Sequence, residues 1–179
     1  MKKLILCILI LGGILYMAHT NTNTSELKLI KELELLKPFV GKTFRGIMGD
    51  PKGEHSVDVQ RWERILNGTS IRIMHSVDEG AYGGETILYW DKQEQRIAYY
   101  YFTTAGFITH GYMLVEEGKY IAFEKVDGNE QGISEVKSIT VLNEDGSLTA
   151  TSEYFKNGEW VEGHKIEYSL DMNAELKFK

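Results

Sequence analysis

Trp62-Glu63-Arg64-Ile65-Leu66-Asn67-Gly68-Thr69-Ser70-Ile71-Arg72-Ile73-Met74 decides the fold. Two runs rich in β-branched and apolar residues flank Asn-Gly. That dipeptide is the strongest short hairpin signal, because a two-residue turn needs positive φ at both central residues. Asn157-Gly158 repeats the pattern between Glu153-Tyr154-Phe155 and Trp160-Val161. Glu117-Gly118, Asp127-Gly128, Asp145-Gly146 and Thr104-Ala105-Gly106 mark further turns. Strands are predicted at 41–48, 55–66, 69–78, 83–91, 95–103, 107–116, 119–126, 133–143, 147–156 and 159–170. Consecutive strands with short loops bury their edges by closing on themselves. The expected fold is all-β: a closed antiparallel meander barrel of about ten strands with one N-terminal helix.

Composition agrees with that reading. The chain has 179 residues, enough for one domain with a sizeable core, and carries 18 Gly and 10 Tyr against 2 Pro. Hydrophobic residues at 42% and charged residues at 26% are ordinary for a globular protein and disfavour disorder, collagen and coiled coil. A net charge of −6 gives a nucleic-acid partner no electrostatic footprint. The single cysteine, Cys7, excludes an intramolecular disulfide framework and a multi-cysteine zinc site.

The N-terminus reads as a targeting segment. Lys2-Lys3 precedes an apolar run from Leu4 to Leu15, the pattern of a secretory signal peptide. Residues 1–20 are assigned to the leader, 21–25 to a polar connector and 26–179 to the barrel domain. The expected location is therefore secreted or periplasmic; a retained N-terminal anchor is the competing reading. Loss of Lys2 and Lys3 takes the net charge from −6 to −8, which argues against stable association with anionic membrane lipid. A helix is predicted over 26–37, with Leu27, Ile30, Leu33 and Leu36 recurring every three residues, Ser25 as N-cap and Pro38 as terminator.

A leader, a short helix, a glycine-led first strand and an antiparallel meander together resemble the calycin superfamily. Pro38-Phe39-Val40-Gly41-Lys42-Thr43-Phe44-Arg45-Gly46 resembles the opening of its first strand, with Thr43 where lipocalins carry tryptophan. Tyr100-Tyr101-Phe102-Thr103-Thr104-Ala105-Gly106-Phe107 and Glu153-Tyr154-Phe155-Lys156-Asn157-Gly158-Glu159-Trp160 look like secreted bacterial lipocalin-like domains of unassigned activity. The resemblance implies a barrel with an internal cavity and a small apolar ligand. Fold alone implies no particular activity.

Candidate site residues come from strand phase. Arg61 and Glu63 share phase with Val57, Val59 and Ile65. A charge on an apolar face needs a partner or a ligand head, and arginine is the usual anchor for a carboxylate. Arg61 is accordingly expected to point inward, unless a bulge flips the phase; Trp62 and Arg64 hold the opposite phase, so one of the two arginines should face the lumen. His75 keeps phase with Ile71, Ile73 and Val77, and Tyr99 with Tyr101. Arg61, His75, Tyr99 and Tyr101 are the predicted contacts of a small, mainly apolar molecule with one polar or anionic end. Nitrobindin-like barrels, within the superfamily this chain resembles, hold haem through one late histidine; that resemblance makes His164, in phase with Trp160, Ile166 and Tyr168, a weaker haem-binding alternative. Gly80-Ala81-Tyr82-Gly83-Gly84 is read as a loop at the barrel mouth. No catalytic residue, metal ligand set or cofactor motif emerges. The alternatives to lumen binding are a filled barrel acting through its surface, and a hydrolase or isomerase built on an internal histidine and carboxylate.

Overall fold

The computed structural model describes residues 28–49, 55–126 and 132–179. The leader, its cleavage region, the Ser25 cap, the first two residues of the predicted helix and the Asp127-Gly128 turn lie outside these residues. Ten strands follow in chain order: β1 (Thr43–Gly49), β2 (His55–Ile65), β3 (Ser70–Val77), β4 (Tyr82–Asp91), β5 (Arg96–Thr103), β6 (Ile108–Glu116), β7 (Lys119–Lys125), β8 (Ile133–Leu142), β9 (Leu148–Lys156) and β10 (Glu159–Leu170). Each pairs antiparallel with its neighbours in sequence, and β1 pairs with β10 to close the barrel. The meander is the predicted one, with strand ends within two residues of expectation. The turns follow their sequences: Asn67-Gly68 and Asn157-Gly158 both take positive φ throughout. One expectation is corrected. Tyr82, Gly83 and Gly84 are the first residues of β4, not a mouth loop.

The N-terminal segment is a 3-10 helix, Lys31–Leu36. The three-residue recurrence of its leucines is the 3-10 period, in which i and i+3 eclipse. Leu33, Leu36 and Phe39 are fully buried and plug one end of the barrel. Phe39 stacks on Trp62 at 5.1 Å, and both meet Tyr120 at 5.5 Å. The plug is tied down by Ile30 N–H donating to Gly68 O (3.0 Å) and Arg64 Nε donating to Lys28 O (2.7 Å). Around it Phe44, Ile71, Leu88 and Leu148 complete an apolar half-lumen from which water is excluded.

Residues after β10 run across the outer face of β1–β3. Asp171 N–H donates to Thr43 O (2.9 Å), and Ser76 Oγ donates to Lys177 O (2.6 Å). Lys177 also pairs with Glu79 in the β3–β4 turn. This strap buries Thr43, Val59 and Ser76, which lie on the outside of the barrel. Elsewhere the outer wall is open: Tyr100, Phe102 and Ile108 are exposed on β5 and β6, with Tyr89 stacked beside Tyr100. Among the described residues no helix is long and apolar enough to cross a membrane.

Candidate functional site

Directly opposed residues of antiparallel strands point to the same face. Trp62, buried in the plug, therefore fixes the inward phase of β2 as Asp58, Gln60 and Trp62. Across the sheet it selects His75 and Ile73 on β3, Tyr82 and Thr86 on β4, Tyr99 and Tyr101 on β5, and Thr109 on β6. Tyr120 and Glu124 continue the row on β7, and Tyr168 completes it on β10. Between these walls lies a cavity of about 300 Å³, on the side of the barrel away from the plug. Tyr99, Met113, Tyr120 and Tyr168 belong both to the apolar core and to the cavity lining, and so form its floor.

Small residues give the rings their room. Gly46 pairs with Tyr168, and Gly111 with Tyr99. A Cβ at Gly46 would stand 2.5 Å from the Tyr168 ring, and one at Gly111 would stand 2.7 Å from the Tyr99 hydroxyl. Alanine at Gly46 would push the Tyr168 ring off its bed; at Gly111 it would first meet the Phe123 carbonyl oxygen on β7, so the strand pair itself would have to shift.

One hydrogen-bonded chain crosses the site. Tyr168 OH donates to Asp58 Oδ2 (2.6 Å), and Asp58 Oδ1 lies 3.2 Å from His75 Nδ1. His75 Nε2 lies 2.6 Å from the Tyr101 hydroxyl, which is 2.9 Å from Tyr82 OH. Asp58 thus orients the imidazole with Nδ1–H toward itself. Two proton arrangements satisfy the rest. With neutral imidazole, Tyr101 donates to Nε2 and Tyr82 donates to Tyr101; with imidazolium, both bonds reverse. Beside the chain, Trp62 Nε1–H donates to Gln60 Oε1 (2.9 Å), which joins the plug to the site.

Burial controls the charges here. It pushes the Tyr99 and Tyr101 phenols far up, Tyr120 to about 12, and Tyr168 well above its ordinary value. All four rings are hydroxyl donors at neutral pH, not phenolates. Burial also raises Glu124, a shift opposed by the neighbouring Thr109 hydroxyl and by His75 across the lumen.

His75, Tyr99 and Tyr101 stand where the sequence puts them, on the cavity wall. Arg61 does not, and its inward placement is corrected. Its guanidinium lies outside the barrel, donating from Nε to Thr43 Oγ1 (3.0 Å) and from Nη2 to Ala174 O (3.2 Å). Glu63 also faces out and pairs with Arg72 on β3. No bulge interrupts β2. The phase was misread because the strap covers an apolar outer face while the lumen face at the mouth is polar. Arg64 holds the inward phase, but at the plugged rim. His164 is exposed, does not line the cavity, and sits in a β10 bulge between Glu162 and Lys165. Asp58, Gln60, Glu124 and Tyr168 were missed. Trp62 was the signal available: the largest apolar residue of β2 marks the buried phase.

Among the described residues no three His, Cys, Asp or Glu side chains converge as metal ligands. Comparison with protein-family models and with curated proteins finds no match for the chain.

Proposed function

We propose that this chain is a calycin-like barrel that binds a small molecule in the open half of its lumen. The observation that carries the reading is the cavity of about 300 Å³ above a floor of tyrosine rings. Ligand sites run from roughly 300 to 1,000 Å³ and combine apolar walls with a few convergent polar groups. Apolar atoms form most of this wall, and Asp58, His75, Tyr101 and Glu124 supply the polar groups. The ligand is therefore small, with an apolar body and one polar end. Export through the 1–20 leader belongs to the same reading, supported by Lys2-Lys3 and the apolar run behind it. Ligand-observed NMR with a library of small fragments tests the binding claim. Hits should appear and should vanish in Ala122→Phe, which fills the lumen from the wall. Hits that survive that change, or a library without hits, contradict it.

The Asp58–His75–Tyr101 chain favours a second reading, in which the site transfers a proton to a bound molecule. Burial makes Tyr101 a weak acid on its own, so the transfer needs the imidazolium arrangement: the Tyr101 hydroxyl, turned from Tyr82 to a bound base, gives up its proton as His75 Nε2–H replaces it and His75 becomes neutral. Turnover of a bound fragment that is lost in Tyr101→Phe, with affinity retained, would support this second role.

A further inference from the structure

The polar end of the ligand has a sign. Asp58 and Glu124 line the cavity, and among the described residues no lysine or arginine does. Their situations differ. Asp58 is satisfied on both oxygens, by Tyr168 and by His75. The basic group of the lumen is thereby already engaged. Glu124 has no such partner: among the described residues it forms no ion pair, and His75 acts on it only at a distance. Thr109 Oγ1 lies beside it, 3% exposed at the residue, close enough to favour the carboxylate yet completing no hydrogen bond of good geometry. Both belong to the inward row, Thr109 opposite Tyr101 and Glu124 opposite Gly111, whose missing side chain leaves space for the Tyr99 ring.

Thr109 Oγ1 is thus a buried oxygen without a hydrogen-bond partner, set beside a carboxylate that forms no ion pair among the described residues. Leaving such groups unpaired costs free energy that a ligand can recover. An ammonium group carries three donors and no acceptor, and it matches a carboxylate in charge. Tyrosine faces attract cations as well, and more strongly where water is excluded. A carboxylate ligand would instead meet Glu124 and Asp58 with like charge and find no guanidinium among the described residues that line the cavity.

We propose that the lumen takes a small primary amine, its ammonium seated on the Glu124 carboxylate, with the buried Thr109 hydroxyl behind that carboxylate and the apolar body of the ligand among the tyrosine rings. This rests on the lumen-binding reading above and narrows it to one class.

Isothermal titration calorimetry on the full chain at neutral pH, with three probes of one shape, tests it: phenethylamine, 3-phenylpropionate and 2-phenylethanol. Phenethylamine should bind at least tenfold more tightly than 3-phenylpropionate. Glu124→Gln, which preserves shape, should weaken the amine at least tenfold and leave 2-phenylethanol within about twofold. Thr109→Val should weaken the amine less than Glu124→Gln does, and serves as the second variant if Glu124→Gln fails to fold. Equal or tighter binding of 3-phenylpropionate overturns the amine assignment while leaving lumen binding in place. So does amine binding unaffected by both substitutions. If none of the three probes binds at millimolar concentration, the lumen-binding reading falls, and the amine assignment with it.

Discussion

The two halves of the lumen are built from the same strands and do opposite things. Toward the plug, Leu36, Phe39, Phe44, Trp62, Ile71, Leu88 and Leu148 are wholly buried and pack into one apolar cluster. Toward the mouth, the same strands present Asp58, His75, Tyr101 and Glu124 around open space. The difference is set by position along each strand: β2 reads Asp58, Gln60, Trp62 from mouth to plug, and β7 reads Glu124, Ala122, Tyr120. One half holds the barrel together. The other is free to be polar because the first supplies the stability.

That division can be broken experimentally. Trp62→Ala should have the largest effect, about 3–5 kcal/mol of folding free energy in a denaturant titration, since it empties the plug and orphans the Gln60 carbonyl. Asp58→Ala removes the acceptor of both Tyr168 and His75 and should cost about 1–3 kcal/mol. A larger loss than that from Trp62→Ala would reverse the ranking of the two halves.

Arg61→Met should cost less, about 0.5–1.5 kcal/mol for its bonds to Thr43 and Ala174. Limited proteolysis should then cut the strap after residue 171 faster, while probe binding stays unchanged. Altered probe affinity would return Arg61 to the site.

Glu124→Gln should have the smallest effect on stability and the opposite sign. Burial raises the Glu124 carboxyl in the folded chain, so the folded state holds its proton longer than the unfolded one. Stability is then lost as pH rises from the ordinary carboxylate range through the folded value. Thermal melts of Glu124→Gln should exceed the parent at neutral pH, and the gain should shrink below about pH 4, where the carboxyl is protonated in both states. A gain independent of pH would mean that desolvation of the charge is not its cause.

The sequence carried the barrel almost completely, because Asn67-Gly68, Asn157-Gly158 and their kin impose turns locally and two-residue alternation imposes strands between them. It carried His75 onto the wall, because its neighbours in phase are plainly apolar; on β5, with Tyr100 and Phe102 in the opposite phase, the pattern promised two rings on the wall whichever face turned inward, and the register makes them Tyr99 and Tyr101. It failed at β2. Val57, Val59 and Ile65 look like a core face, but the strand is covered on its outside by a strap from the far end of the chain, a contact that local pattern cannot express. Glu124 was equally hidden: a charged residue in a half-buried strand reads as solvent-facing until closure of the barrel turns it inward.

The mouth half of the lumen is the proposed ligand site. Titrating phenethylamine into the protein while following side-chain NMR signals tests it directly. The account predicts shifts at His75 and at the Tyr99 and Tyr101 rings, with Leu33 and Leu36 of the plug unmoved. Shifts confined to Tyr89, Tyr100, Phe102 and His110 on the outer wall would contradict it and place binding on the barrel's surface.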